Sequence, residues 1–296
     1  MISLLLAFQW GGSTYSWADA RIISLLVVFG VLLILFVGIQ LWRKEYATVP
    51  PRIVSQQTMA IGVFYNFFGG ASVMLTTYYV PIWFQAIKGD SAIESGISTL
   101  PSIISTVVAS IGSGMFVRKI GYYNPTMLAS GVICAIGAGL MTLLKPATAH
   151  PLWIACQIVY GLGTGLSSQH GSLAAQTVLS KEDVPTGISV MLFAQGLGGT
   201  IGVPVGEVIV NNRLIAGLQK LGDIDPQAVV STGATDLRNM FSADQLANVV
   251  NIYNDAIVHV FYATTVFACL GLVTGILMPW KTTKTSNKKV DAEQAD

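Results

Sequence analysis

The sequence predicts an all-α integral membrane protein, and three observations carry that prediction. Seven apolar runs are each long enough to cross a bilayer, charged residues make up only 10% of the chain, and the tryptophans gather at the run ends. A hydrocarbon core about 30 Å thick takes roughly 20 apolar residues in a helix. With no water there to pair the backbone, a helix is the economical way through. A soluble domain carries about a quarter charged residues, so water is not the main solvent of this chain.

The elements follow in order. A first apolar run, 1–9, is too short to cross, and it precedes full-length spans over 21–41, 58–84, 96–117, 125–144, 152–178, 185–210 and 256–280. Pro81, Pro101 and Pro204 lie in these runs and predict kinks near span ends or cavities. Trp10, Trp17, Trp42, Trp83, Trp153 and Trp280 fall at or just beyond run ends, where an indole sits at the headgroup level. Residues 211–255 read as a polar outer loop and 281–296 as a charged tail of disordered composition.

Orientation follows from the cations in the connections. Arg43, Lys44, Arg52, Arg118, Lys119, Lys181, Lys281, Lys284, Lys288 and Lys289 fall on one side; Arg21, Lys88, Lys145, Arg213, Lys220 and Arg238 fall on the other. Ten against six places the tail in the cytoplasm by the positive-inside rule.

Several function classes drop out. Lys and Arg total 16 against 15 Asp and Glu, so nothing in the charge points to nucleic acid. Cys134, Cys156 and Cys269 each sit inside an apolar run without metal-site spacing, and His170 and His259 are far apart, so no metal is expected. No phosphate loop or nucleophile elbow occurs, which argues against an enzyme.

What remains is a set of polar and glycine patterns inside the spans. Asn66, Gly70 and Thr77 approximate one helix stripe beside Tyr65; Gln157, Tyr160 and Thr164 form another, and Gln195 lies in the run 185–210. Polar residues in spans turn inward, so these stripes predict a polar cavity, with interhelical hydrogen bonding as the alternative. Glu207 is the one acidic residue within a predicted span; it suits a proton relay, though near the outer end an ordinary hydrated glutamate reads equally well. Gly198, Gly202 and Gly206 recur every four residues and predict a close helix contact, sliding or static. The turn built on Gly114, Arg118, Lys119 and Gly121 is tight and basic, and its glycines predict close helix approach.

These residues also resemble a known family. Leu6-Ala-Phe-Gln-Trp10-Gly-Gly-Ser-Thr-Tyr15-Ser-Trp17, with Arg21-Ile-Ile, is similar to the start of the central hairpin in fungal fourteen-span drug:proton antiporters of the major facilitator superfamily. Thr77-Tyr-Tyr-Val-Pro81-Ile-Trp-Phe-Gln85-Ala-Ile-Lys-Gly89, with Ser95-Gly96 and Leu100-Pro101, resembles that family's ninth-to-tenth helix region. Gln195-Gly-Leu-Gly-Gly199 resembles its thirteenth helix, and the turn around Arg118 and Gly121 resembles the superfamily's cytoplasmic loop motif. That motif has an acidic residue before the arginine, where this chain has Phe116 and Val117.

The resemblance implies the C-terminal six-helix half of a major-facilitator fold preceded by a linker hairpin. Residues 1–45 would be that hairpin with its first helix truncated, 57–280 the bundle, and 281–296 a cytoplasmic tail. It implies an N-terminal half as the missing partner, the gene model being truncated or the chain a shortened relative. It also implies a multi-pass plasma-membrane protein that exports amphipathic or toxin-like small molecules by alternating access, driven by a proton gradient and without a cofactor. Tyr65, Asn66, Thr77, Gln157, Tyr160 and Gln195 would meet substrate, with Glu207 as proton candidate. The alternatives are a nutrient facilitator or importer on the same scaffold, and a non-transporting fragment or membrane partner.

Overall fold

A computed structural model describes residues 2–11, 15–43, 49–221 and 243–282, and the apolar runs fold in it as helices. In order these are α1 Ile2–Trp10, α2 Ala20–Arg43, α3 Pro51–Val54, α4 Gln57–Trp83, α5 Ala92–Ser98, α6 Leu100–Ile120, α7 Asn124–Met141, α8 His150–Ser167, α9 His170–Val178, α10 Val184–Leu218 and α11 Ala243–Ile276. A π-helical turn, Phe84–Lys88, extends α4 and stops at Gly89, whose φ of 77° is a left-handed conformation that glycine adopts freely. Among the described residues, six stretches are long and apolar enough to cross a membrane.

The fifth of the seven expected crossings, 152–178, is split in two. α8 ends at Ser167 and α9 begins at His170, and serine hydroxyls bond the backbone carbonyls at that break. Ser167 Oγ donates to Thr164 O (2.8 Å), Ser168 Oγ donates to Gly165 O (3.0 Å), and Ser113 Oγ reaches across from α6 to Leu166 O (2.9 Å). The break is therefore hydrogen-bonded within protein, the condition under which irregular backbone survives at membrane depth.

The polar loop expected over 211–255 is also shorter than its composition suggests. α10 continues to Leu218 and α11 already runs from Ala243, while 222–242 lie outside the described residues, as do 283–296 of the expected tail. Leu214, Leu218, Val249 and Phe261 bury together, and that apolar face prolongs both helices beyond the span.

Two tryptophans depart from the expected headgroup belt. Trp83 and Trp153 are buried beside Phe84, whereas Trp42 and Trp280 are exposed. Trp83 Nε1 donates to Asn254 Oδ1 (2.8 Å), and Asn254 Nδ2 donates to Leu144 O (3.1 Å), so a polar clamp joins α4, α11 and the end of α7. An indole with a partner in the protein has no need of the headgroup layer.

α4 packs on α10 and α11, α11 on α7, α7 on α8, and α8 on α6. Small residues make the tightest of these contacts. A Cβ on Gly198 would collide with Phe67 O, one on Gly70 with Gln195 O, and one on Gly206 with the Tyr79 ring. The every-fourth-residue glycines thus seat α10 against the α4 backbone. At the opposite end of the bundle from Trp83, Gly121 closes α6 with φ 83°, its N–H donating to Val117 O (2.7 Å). Asn124 Nδ2 there donates to Met278 O (3.1 Å), tying α7 to the segment after α11.

Candidate ligand cavity

Between α4 and α10 on one side and α6 and α8 on the other lies a cavity of about 380 Å³. α4 contributes Tyr65, Asn66, Thr76 and Thr77, and α8 contributes Gln157, Tyr160 and Thr164. Gln195 enters from α10, and Thr99, Ser102 and Thr106 line the wall at the start of α6 and along it. Val73, Val80, Ile103, Val107 and Met141 add apolar surface. No Asp, Glu, Lys, Arg or His is among the lining residues.

Helical period explains the assembly. Asn66, Gly70 and Thr77 recur at four and seven residues along α4, and Gln157, Tyr160 and Thr164 at three and four along α8, which holds each set on one face. All six residues expected to meet substrate line this single cavity.

Four of the six are held by hydrogen bonds to neighbours. Gln157 is 3% exposed; its Nε2 donates to Ser98 O (2.9 Å), and its Oε1 is enclosed without a partner. Tyr160 and Ser72 share a hydroxyl–hydroxyl bond of 2.9 Å. Asn66 Nδ2 donates to Gly62 O (2.8 Å). Tyr65 Oη lies 3.5 Å from His170 Nδ1, and His170 Nε2 lies 2.9 Å from Thr126 Oγ1, so a fully buried histidine braces the tyrosine from behind the wall. Thr106 and Thr164 pair across α6 and α8 at 3.1 Å.

Other expected site residues lie elsewhere. Glu207 is half-buried on α10 beyond the cavity lining, next to the Gly206–Tyr79 contact. Arg118 and Lys119 are exposed in the last turn of α6. Gly114 and Gly112 face open space rather than a neighbouring helix, so the close approach expected of that turn's glycines does not occur; only Gly121 has a backbone reason to be glycine.

The α6 contribution is the part residue reading missed. Thr99, Ser102 and Thr106, at spacings of three and four, form a stripe as regular as those on α4 and α8. A second, larger cleft of about 630 Å³ lies between α2, α4 and α10, lined by Phe36, Phe64, Phe67, Phe68 and Phe193 among others. Convergent polar groups distinguish a specific site, and they belong to the first cavity.

No family model matches the chain. It is 46% identical over 281 residues to the MFS-type transporter VdtG of Byssochlamys spectabilis, covering 95% of this chain and 51% of that protein. It is 44% identical over 296 residues to the MFS-type efflux pump MFS1 of Arthroderma benhamiae, covering 100% of this chain and 55% of the pump. The efflux pump bfoC of Aspergillus brasiliensis is 42% identical over 282 residues, 95% of this chain and 50% of that protein. The chain spans about half the length of the curated relatives it matches.

Proposed function

We propose that this chain, which matches about half the length of fungal MFS-type transporters, supplies one wall of the ligand path of a proton-coupled efflux pump. Membrane transport is the class its relatives share, and two of those above are named efflux pumps. The observation that carries the reading is the uncharged polar cavity, where three helix stripes and Gln195 meet among membrane helices. A second wall from the remainder of the transporter would face it, and rocking of the two would expose the cavity to each side in turn.

The basic residues suit an orientation with the Gly121 end in the cytoplasm. Arg52, Arg118, Lys119, Lys181 and Lys281 stand at that end. Arg21, Lys88, Lys145, Arg213 and Lys220 stand at the other, and Lys88 Nζ is tied to Pro146 O (2.8 Å) and Thr148 O (2.7 Å). We place the protein in the plasma membrane and its coupling protons on carboxylates, with Glu207 the candidate on this chain.

Inside-out vesicles from cells carrying the complete transporter test the reading. Fluorescent amphiphiles should accumulate in the lumen when it is acidic, and an uncoupler should abolish accumulation. Asn66→Ala and Gln195→Ala should each change handling of some amphiphiles several-fold at unchanged protein level. Accumulation indifferent to the uncoupler would remove proton coupling, and identical profiles for both variants would remove the cavity as the path.

A further inference from the structure

We infer that this cavity selects uncharged ligands bearing hydrogen-bond donors, phenols and alcohols in particular, over ligands that only accept and over anions. This rests on the cavity being the ligand site. The argument comes from where the hydroxyl hydrogens of the wall already point.

Seven lining hydroxyls sit within bonding distance of a carbonyl three or four residues back, and six of their hydrogens can go there at once, because Thr106 and Thr164 also bond each other (3.1 Å) and one of the two gives its hydrogen to that pair. On α4, Thr76 gives its hydrogen to Ser72 O (3.1 Å). Around α5 and α6, Thr99 gives to Gly96 O, Ser102 to Thr99 O and Thr106 to Ser102 O, each at 2.7 Å. On α8, Thr164 lies 3.1 Å from both Gly161 O and the Thr106 hydroxyl, and Ser167 gives to Thr164 O (2.8 Å) and Ser168 to Gly165 O (3.0 Å). A hydroxyl has one hydrogen and two lone pairs. Once the hydrogen is committed to the backbone, the oxygen can only accept.

The amides repeat the pattern. Asn66 Nδ2 is bound to Gly62 O and Gln157 Nε2 to Ser98 O; a carbonyl only accepts, so each contact fixes the amide with its nitrogen on the protein and its oxygen left over. Gln157 Oε1 is the extreme case, buried and without any partner. Thr77 and Gln195, both exposed on the cavity side, can donate, and so can the Tyr160 hydroxyl when Ser72 supplies the hydrogen of their shared bond. The wall therefore presents many acceptors, few donors and no cation. A ligand ether or carbonyl entering it would lose water and meet lone pairs, and a carboxylate would meet no counter-charge. A phenol would find partners on three helices.

Binding of three naphthalenes to the 296-residue chain in nanodiscs tests this, with partitioning into empty nanodiscs subtracted. 2-Naphthol offers one donor, 2-methoxynaphthalene is the same ring with an acceptor only, and 2-naphthoate is its anion. The expected order is naphthol about tenfold tighter than the ether, one good hydrogen bond, with naphthoate weakest. Thr106→Val should narrow the naphthol-to-ether ratio, and Thr76→Val, which leaves the α6–α8 pair intact, should do the same. An ether that binds as tightly as naphthol, with Asn66→Ala weakening both alike, would overturn the donor preference and leave the cavity standing as a ligand site. Naphthoate binding tightest would overturn it too. No binding of any probe above empty nanodiscs would overturn both readings.

Discussion

Asn254 holds one end of the bundle together through two hydrogen bonds, accepting from the Trp83 indole and donating to Leu144 O. It is buried, so nothing replaces either bond when the amide is removed. Asn254→Leu should cost about 1–3 kcal/mol through the groups left unpaired, read as a lower unfolding midpoint in detergent. At the other end, Arg52 grips Asp183 with two bonds of 2.7 and 2.8 Å, and Ser180 adds a third at 2.8 Å. The Arg52 hydrogen bonds, then that of Ser180, hold the Asp183 carboxyl below its usual range. Its folded pKa is the lower one, so this stabilisation is complete above the unfolded value of about 3.9 and disappears as pH falls through the folded one. Asp183→Asn should accordingly lower the midpoint at pH 7, and the gap to the parent should close in acid. A gap that widens in acid would contradict the assignment.

Among the elements, the α4–α10 pair separates glycines that matter from glycines that do not. A Cβ on Gly198 collides with Phe67 O, while one on Gly196, two residues earlier, meets nothing within 4 Å. Gly198→Ala should destabilise by about 1–3 kcal/mol through overpacking. Gly196→Ala should be neutral or gain up to about 1 kcal/mol of helix propensity. Paired melting curves check both. The face carrying Gly198, Gly202 and Gly206 was readable from its period, as were the polar stripes on α4 and α8, because both depend only on residues of one helix. The break before His170 was not, since the apolar run continues across it and one of the bonds that stabilise it comes from Ser113 on another helix. The same holds for Trp83, whose place in the core depends on Asn254, far away in the chain. Gly114 misled for the converse reason: a small residue permits close approach without requiring a neighbour.

At the scale of the molecule, an uncharged cavity sits among helices long enough to span a membrane, and everything proposed about transport passes through it. Its six anticipated residues come from three helices, α4, α8 and α10, and α6 completes it. The most direct test is thiol labelling in the complete transporter, with Cys134, Cys156 and Cys269 replaced by serine and a single cysteine put back. Thr77→Cys, exposed in the cavity, should react with a membrane-impermeant maleimide, and a transported ligand should slow that reaction at least several-fold. Met115→Cys, 65% exposed on the apolar outer surface of α6, should be indifferent to ligand. Ligand protection confined to position 77 is the result this account predicts. A Thr77→Cys protein that labels no faster with ligand absent than present would contradict it.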